Sequence, residues 1–378
     1  MLCRAFFSSE ICIVKRKLKD LYEVSFFINR NCSADGCRNF VRQTGAAATR
    51  TPGEKRGVLL ENHFQYGADC DLLLRHKIGR VYMRMFDVVP DIYPYDNKIE
   101  NRVIPNASIR ISDPQNRLVG DLADIEFVPV VYVTLEALKA MKGHEGKLAS
   151  NIVTRVRNMC EYNGLRHVSE LQLDCDWTPS TENSFFSLCD STRRILQTPE
   201  YGWNLSSTIR LHQLARKVPP VDRGVLMVYN TGSFDNPDAA NSIIDADDVR
   251  PYLKRLSSYN LHLDVAYPTY SWQLLFRDRR FAGLMANVEL TDTSAFTRRE
   301  ASNVYMARRD VPYHNTVIYA GDIVRAETSS FDDIIRVKGM IEQCLSNRPH
   351  SNILYHLDFE NLSKYKPNEI DKILSTGR

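Results

Sequence analysis

From Gly57 onward, short apolar stretches with a two-residue alternation take turns with longer stretches whose apolar positions recur every three or four residues. The first pattern predicts strands over 57–66, 80–88, 127–134, 169–177, 205–213, 224–230, 261–267 and 352–359. The second predicts helices over 135–164, 182–197, 246–258, 331–346 and 367–375. Strands that alternate with helices imply parallel pairing with helical crossovers, and eight such units suggest an α/β chain closed into a (β/α)8, or TIM, barrel. The stretch 279–330 is too long for a simple connection and holds the strand-like TVIYAGDIVRAE, so it reads as a small insertion before the last strand.

Within the strands the alternation separates two faces. In LQLDCDW, Leu171, Leu173, Cys175 and Trp177 share one side while Gln172, Asp174 and Asp176 share the other. STIRLHQ sets Ile209 and Leu211 against Thr208, Arg210 and His212, and NILYHLDF sets Leu354, His356 and Asp358 against Ile353, Tyr355, Leu357 and Phe359. Helices cover the outside of such a barrel, so the apolar faces are expected outward and the polar faces inward. Inward charge is costly unless paired, and Arg210, with Arg84, is the expected counter-ion of an acidic interior.

Hydrophobic residues are 43% of the 378 and charged residues 25%, ordinary globular figures that exclude collagen-like, coiled-coil and wholly disordered chains. No run approaches the roughly 20 apolar residues of a membrane span. The net charge of +3 is uneven. Residues 1–56 carry 11 Lys/Arg against 5 Asp/Glu, leaving 38 against 41 for 57–378. The body is slightly acidic and lacks the basic footprint of a nucleic-acid binder. The segment 31–56 is polar, small and broken by Gly and Pro, so 1–56 reads as a basic, disordered leader ahead of a barrel over 57–378. Its apolar runs are too short for a secretory signal, although a misassigned start would hide one. Nine cysteines without regular spacing or a CxxC pair argue against a disulfide framework and a structural zinc site.

A TIM barrel carries its site at the C-terminal strand ends. Reading off those ends gives Asp87, Asp174, Asp176, His212, Tyr229, Asn230, Asp264, Tyr267, Tyr270, Trp272, Asp358 and Glu360. Carboxylates outnumber every other type, with Tyr and Trp beside them. Paired carboxylates and aromatic platforms suit sugar binding and glycoside chemistry, in which one acid protonates the leaving oxygen. A buried ion-pair network with no catalytic task fits the same residues. No Walker A loop, G-x-S-x-G elbow, G-x-G-x-x-G turn or H-E-x-x-H helix occurs, so P-loop, serine-elbow, nicotinamide and zinc-protease chemistry lack a motif. No metal or cofactor is expected.

The order of motifs resembles that of family-18 glycoside hydrolases, the chitinase-like barrels. Their fourth strand carries DxxDxDxE, and the fourth candidate strand here reads LQLDCDWT. Asp174 and Asp176 match the second and third acids, whereas Leu171 stands at the first and Thr178 at the general-acid Glu. Met227-Val228-Tyr229-Asn230 is similar to the family's M-x-Y-D, and Val265–Ser271 to its G-x-P-x-Y-G. An insertion between the seventh and eighth strands is also common there. The chain further resembles bacterial barrel proteins with an L-D-x-D-W strand from carbohydrate-degrading gut bacteria. The resemblance implies a carbohydrate-active barrel acting on an oligosaccharide or polysaccharide. Thr178 cannot donate a proton as a carboxylic acid does, so the family's substrate-assisted mechanism is not inherited intact.

The expectation is a divergent glycoside hydrolase. Asp176 would be the leading carboxylate, tuned by Asp174, with Tyr229 positioning the substrate and Glu360 or Asp87 supplying the second acid. Trp272, Tyr270, Tyr267, Asn230, His212, Asp264 and Asp358 would bind substrate. The alternative is a glycan-binding barrel that has lost its general acid, with aromatics along the cleft and the acids engaged by Arg84 or Arg210.

Overall fold

The computed structural model describes residues 56–376 apart from 62, 66, 94–97, 113–117, 119, 301, 315 and 347. The basic leader therefore lies outside the described residues, save Arg56. Eight parallel strands form the ring: β1 (Gly57–Leu60), β2 (Arg80–Pro90), β3 (Glu126–Val133), β4 (Glu170–Asp174), β5 (Asn204–Arg210), β6 (Arg223–Met227), β7 (Leu263–Pro268) and β8 (Asn352–Tyr355). Each pairs with the next, and β1 pairs with both β2 (Gly57 opposite Arg80) and β8 (Gly57 opposite Ile353), which closes the barrel.

Among the described residues an α-helix follows every strand of the ring except β2 and β5, after which the only helical turn is 3₁₀, and these helices carry their apolar side to the ring. The predicted helix 135–164 is two helices, Leu135–Ala140 and Glu145–Tyr162, parted near Gly143, whose φ of 81° favours glycine. The predicted faces hold on β4 and β5 but are reversed on β8. There Tyr355 turns into the mouth to reach Glu61 and Ile353 lies inside against Gly57 and Tyr82, while Leu354 stands beside the outward Tyr267. Trp177 is 1% exposed and packs on Phe185 and Phe186 of the helix Glu182–Leu196, so the apolar side of β4 faces outward. Gln172 donates to Ser206 Oγ, and Asp174 accepts from Thr208 Oγ1, across the interior of the ring.

Strand β2 contains a bulge. Arg84 lies opposite Val130 and Phe86 opposite Val131, so Met85 is the extra residue. In a regular strand Arg84 and Asp87 would face opposite sides. With the extra residue between them their side chains meet, Nε to Oδ1 at 2.8 Å and Nη2 to Oδ2 at 2.9 Å.

Between β7 and β8 the chain builds a separate antiparallel sheet from Ser271–Arg277, Arg280–Met285, Phe296–Arg298, Val304–Ala307 and Ile323–Thr328. One face of it closes a second apolar core around Leu275, Met285, Phe296, Ile318 and Val324.

The N-terminal end of the barrel is closed by charge. Arg80 meets Glu126 at 2.9 Å, Glu170 at 3.7 Å and Asp264 at 3.8 Å, while Arg223 reaches Glu170 and Asp264 at 3.8 and 3.9 Å. Burial by itself would raise the Asp264 carboxyl. The His262 hydrogen bond, Arg223 and the Ser351 N–H outweigh it and hold the group below the usual carboxylate range. Burial dominates at Glu170 and raises it.

A depressed carboxyl contributes stability that is present above its unfolded value of about 4 and lost as pH falls through the folded value. Asp264→Ala should therefore cost about 3–5 kcal/mol at pH 7 and flatten the loss of stability below pH about 4. Urea unfolding followed from pH 7 to pH 3 measures both. An unchanged midpoint at pH 7 would remove Asp264 from the floor of the barrel.

Candidate active site

At the opposite end, β4 stops at Asp174, and the extended residues after it carry Asp176 over the mouth. Gln213, fully buried on the 3₁₀ turn Leu211–Ala215, donates to the carbonyls of Trp177 (3.1 Å) and Cys175 (3.4 Å) and so fixes the backbone on both sides of Asp176. Arg210, the last residue of β5, takes both acids. Its Nη2 meets Asp174 Oδ1 at 3.0 Å and its Nε pairs with Asp176 Oδ1. Asp176 Oδ2 also accepts from Tyr132 OH at 3.4 Å.

A second set mirrors the first. Arg84 holds Asp87 through two bonds and reaches Glu61 Oε1 at 3.3 Å, and Glu61 accepts Tyr355 OH at 2.6 Å. The Arg84 guanidinium also lies 5.0 Å from the centre of the Tyr132 ring, so Tyr132 touches both sets. Burial would lower the proton affinity of either arginine. The charges of Asp176 and Asp174 on Arg210, and of Asp87, Glu61 and Asp174 on Arg84, instead hold both well above their ordinary value. Both remain cations.

Tyrosines line one side. The Tyr229 ring stacks on Tyr355 at 4.0 Å, Tyr270 stands edge-on to both, and Trp272 follows Tyr270 at 5.4 Å. Tyr270 OH donates to Asn230 Oδ1 at 2.5 Å, and Asn230 adopts φ 51°, a left-handed conformation that Asn tolerates better than most residues. Burial pushes the Tyr229, Tyr270 and Tyr355 hydroxyls well above their usual range, with the Glu61 charge adding to each. All three stay protonated.

The structure thus brings together Asp174, Asp176, Asp87, Tyr229, Asn230, Tyr270 and Trp272. Others of the expected residues lie elsewhere. Asp264 is at the floor, near the start of β7. Tyr267 alternates with it, is fully buried, and senses the charge of Glu342 on the helix Phe331–Leu345, so it faces the helical layer. His212 is exposed because β5 ends at Arg210, whose N–H is captured by Gln213 Oε1 at 2.8 Å as the chain turns into the 3₁₀ helix. Asp358 caps the short helix Phe359–Leu362 by accepting Asn361 N–H at 2.9 Å. Burial would raise its carboxyl, but His356 and that bond hold it below the usual range. Glu360 is exposed on the same helix. Thr178 belongs to the turn that starts the helix Glu182–Leu196, its N–H donating to Thr181 Oγ1 at 2.9 Å.

Glu61 is the residue that periodicity missed. It is the first polar position after the apolar run Val58–Leu60, and that placement at a strand end is the one signal it gives. Among the described residues no group of three or more His, Cys, Asp or Glu side chains is arranged to hold a metal ion.

A closed ring of eight parallel strands with its polar groups gathered at the C-terminal mouth makes the chain a TIM barrel. No family model matches the chain and no curated protein is similar to it. Among solved structures it is similar to the spore cortex-lytic enzyme SleL of Bacillus cereus, at 11% identity and a TM-score of 0.49 over 85% of this chain and 76% of that one. It is also similar to a chitinase from Chromobacterium violaceum, with 11% identity and a TM-score of 0.49 over 82% and 98%. A family-18 N-acetylglucosaminidase from Paenibacillus barengoltzii follows, with 10% identity and a TM-score of 0.46 over 84% and 99%. Likeness at this level adds nothing to the strand pairings, which define the fold by themselves.

Arg210→Met leaves Asp174 and Asp176 without their cation and should cost about 3–5 kcal/mol. Replacing the whole group, as Arg210→Met with Asp174→Asn and Asp176→Asn, should recover most of that loss. Chemical denaturation of the two variants decides. A single variant as stable as the parent would show that the acids do not depend on Arg210.

Proposed function

We propose that this is a carbohydrate-active barrel whose mouth binds an oligosaccharide or polysaccharide, and that it binds glycan without cleaving it. One observation carries the choice between the two: each acid at the mouth is engaged by a guanidinium, Asp174 and Asp176 by Arg210, and Glu61 and Asp87 by Arg84. A general acid must hold a proton at working pH, and an arginine in contact favours the ionised form. The position at which related motifs carry Glu holds Thr178 instead. Ionised carboxylates remain good acceptors for sugar hydroxyls. The Asp176 side chain, 26% exposed, is open to such a ligand, and Trp272 is half-buried at the rim.

Hydrolysis is the second reading, favoured by that same exposure of Asp176, with Asp174 orienting it, Tyr229 beside the substrate, and Asp87 or Glu61 as the partner acid. Asp87 is held in two bonds by Arg84, and Glu360 lies exposed outside this group. The choice of glycan is set by whatever contacts the rim adds to this polar base.

Titrating the full chain against hexasaccharides of cellulose, chitin, xylan, mannan and polygalacturonate, with release of reducing ends measured in parallel, tests both readings. Saturable binding of at least one hexasaccharide, with no reducing ends released, is expected. Asp176→Asn should weaken that binding roughly fivefold or more, the loss of a charge-assisted hydrogen bond. Reducing ends that appear with the parent and vanish with Asp176→Asn would replace binding by hydrolysis. No binding to any member overturns both readings.

A further inference from the structure

Trp272 lies directly across from Glu327 in the antiparallel pair of Ser271–Arg277 and Ile323–Thr328. Its indole N–H donates to Glu327 Oε2 at 2.5 Å. Glu327 has little freedom. Its carboxylate also accepts Ser242 N–H at 2.9 Å and Ser242 Oγ–H at 2.6 Å, and its Oε1 lies 2.7 Å from Arg325 Nε. Both side chains of this ion pair are 0% exposed.

Arg325 is fixed in turn. It donates to the carbonyls of Asn236, Ser233 (3.3 Å) and Phe234 (3.4 Å), and its guanidinium stands 5.3 Å from the centre of the Phe276 ring. The three carbonyls sit on the loop between β6 and the helix Ala246–Leu256, which follows Tyr229 and Asn230, whereas Phe276 belongs to the inserted sheet. The loop also presses close at Gly232, where an added Cβ would stand 2.6 Å from Asp248 Oδ2 and 2.9 Å from the Asn241 carbonyl. Asn241 Nδ2 donates to the Thr328 carbonyl at 3.0 Å and Asn303 Nδ2 to the Ala240 carbonyl at 2.8 Å, so the loop and the inserted sheet are joined along their length.

A fully buried ion pair is costly to desolvate and is an inefficient way to join two segments, since apolar residues of similar volume serve as well or better. What apolar residues cannot do is accept an indole N–H. We propose that Glu327 is a positioning residue: locked by Arg325 and Ser242, it fixes the plane of Trp272 beside Tyr270 as the platform for a sugar ring at the edge of the mouth. The sheet inserted between β7 and β8 then takes part in recognition through one cross-strand pair. This rests on the glycan-binding reading of the mouth, whereas the fixing of Trp272 stands apart from it and is tested apart from it.

Two double variants of the full chain separate a hydrogen-bonding role from a packing role. Arg325→Met with Glu327→Gln removes both charges and keeps an acceptor for the indole; Arg325→Met with Glu327→Leu removes the acceptor too. Trp272 emission is obtained by difference from Trp272→Phe, the other tryptophans being Trp177 and Trp203. The Gln variant should match the parent in acrylamide quenching of Trp272. The Leu variant should show quenching raised about twofold, and affinity for the hexasaccharides above lowered about fivefold, as follows from loss of one orienting hydrogen bond.

Equal quenching in parent and Leu variant overturns the proposal, because Trp272 is then held by packing alone. Raised quenching with unchanged affinity, while Trp272→Ala does lose affinity, overturns it too, since the platform would work without being fixed. If no hexasaccharide binds the parent, the glycan reading fails, and the quenching comparison alone decides whether Glu327 fixes Trp272.

Discussion

A closed ring of strands has an interior that water reaches only at its ends, so a charge pointing inward needs an opposite charge beside it. Arg210 is the clearest answer to that constraint. Placed as the final residue of β5, it lies against the two acids that β4 and its extension project, and it holds them as one unit. Arg84 does the same for Glu61 and for Asp87, which the bulge at Met85 turns to the same side of the strand. The floor repeats the device with Arg80 and Arg223 among Glu126, Glu170 and Asp264. Polar groups therefore fill both ends of this barrel, where barrels more often stack Val, Ile and Leu in layers.

The same pairing sets what the mouth can do. Two guanidiniums distributed among four carboxylates hold the acids oriented, an arrangement that suits accepting hydrogen bonds from hydroxyls better than delivering a proton. The aromatic residues divide the remaining work. Tyr229, Tyr270 and Tyr355 are nearly covered and act as walls, whereas Trp272, at the junction with the inserted sheet, keeps part of its ring open. Loop and insertion are joined through Glu327 and Arg325, so the edge of the mouth has a defined shape although it is built from segments some 85 residues apart.

Much of this was legible in the sequence because strand alternation is a local property. The eight strands, the inward side of LQLDCDW, and Arg210 as counter-ion all follow from a period of two. What stayed hidden depends on register between distant strands. Asp264 and Asp174 look alike as acids in alternating strands, yet the stagger of neighbours puts one at the floor and the other at the mouth. His212 continues the alternation of STIRLHQ on paper, but Gln213 captures the Arg210 N–H and ends the strand first. Glu61 sits one residue beyond β1, and its partner Tyr355 lies 294 positions away. The pairing of Trp272 with Glu327 is likewise a matter of sheet register, which no local pattern encodes.

The most direct test is an experimental structure of the chain with a bound hexasaccharide. A sugar seated over the C-terminal strand ends, its hydroxyls donating to Asp176 while Arg210 still bridges Asp174 and Asp176, is the predicted result. A sugar bound elsewhere, or an Arg210 swung away so that a freed carboxyl meets the glycosidic oxygen, would contradict the claim that guanidinium pairing fixes what these acids do.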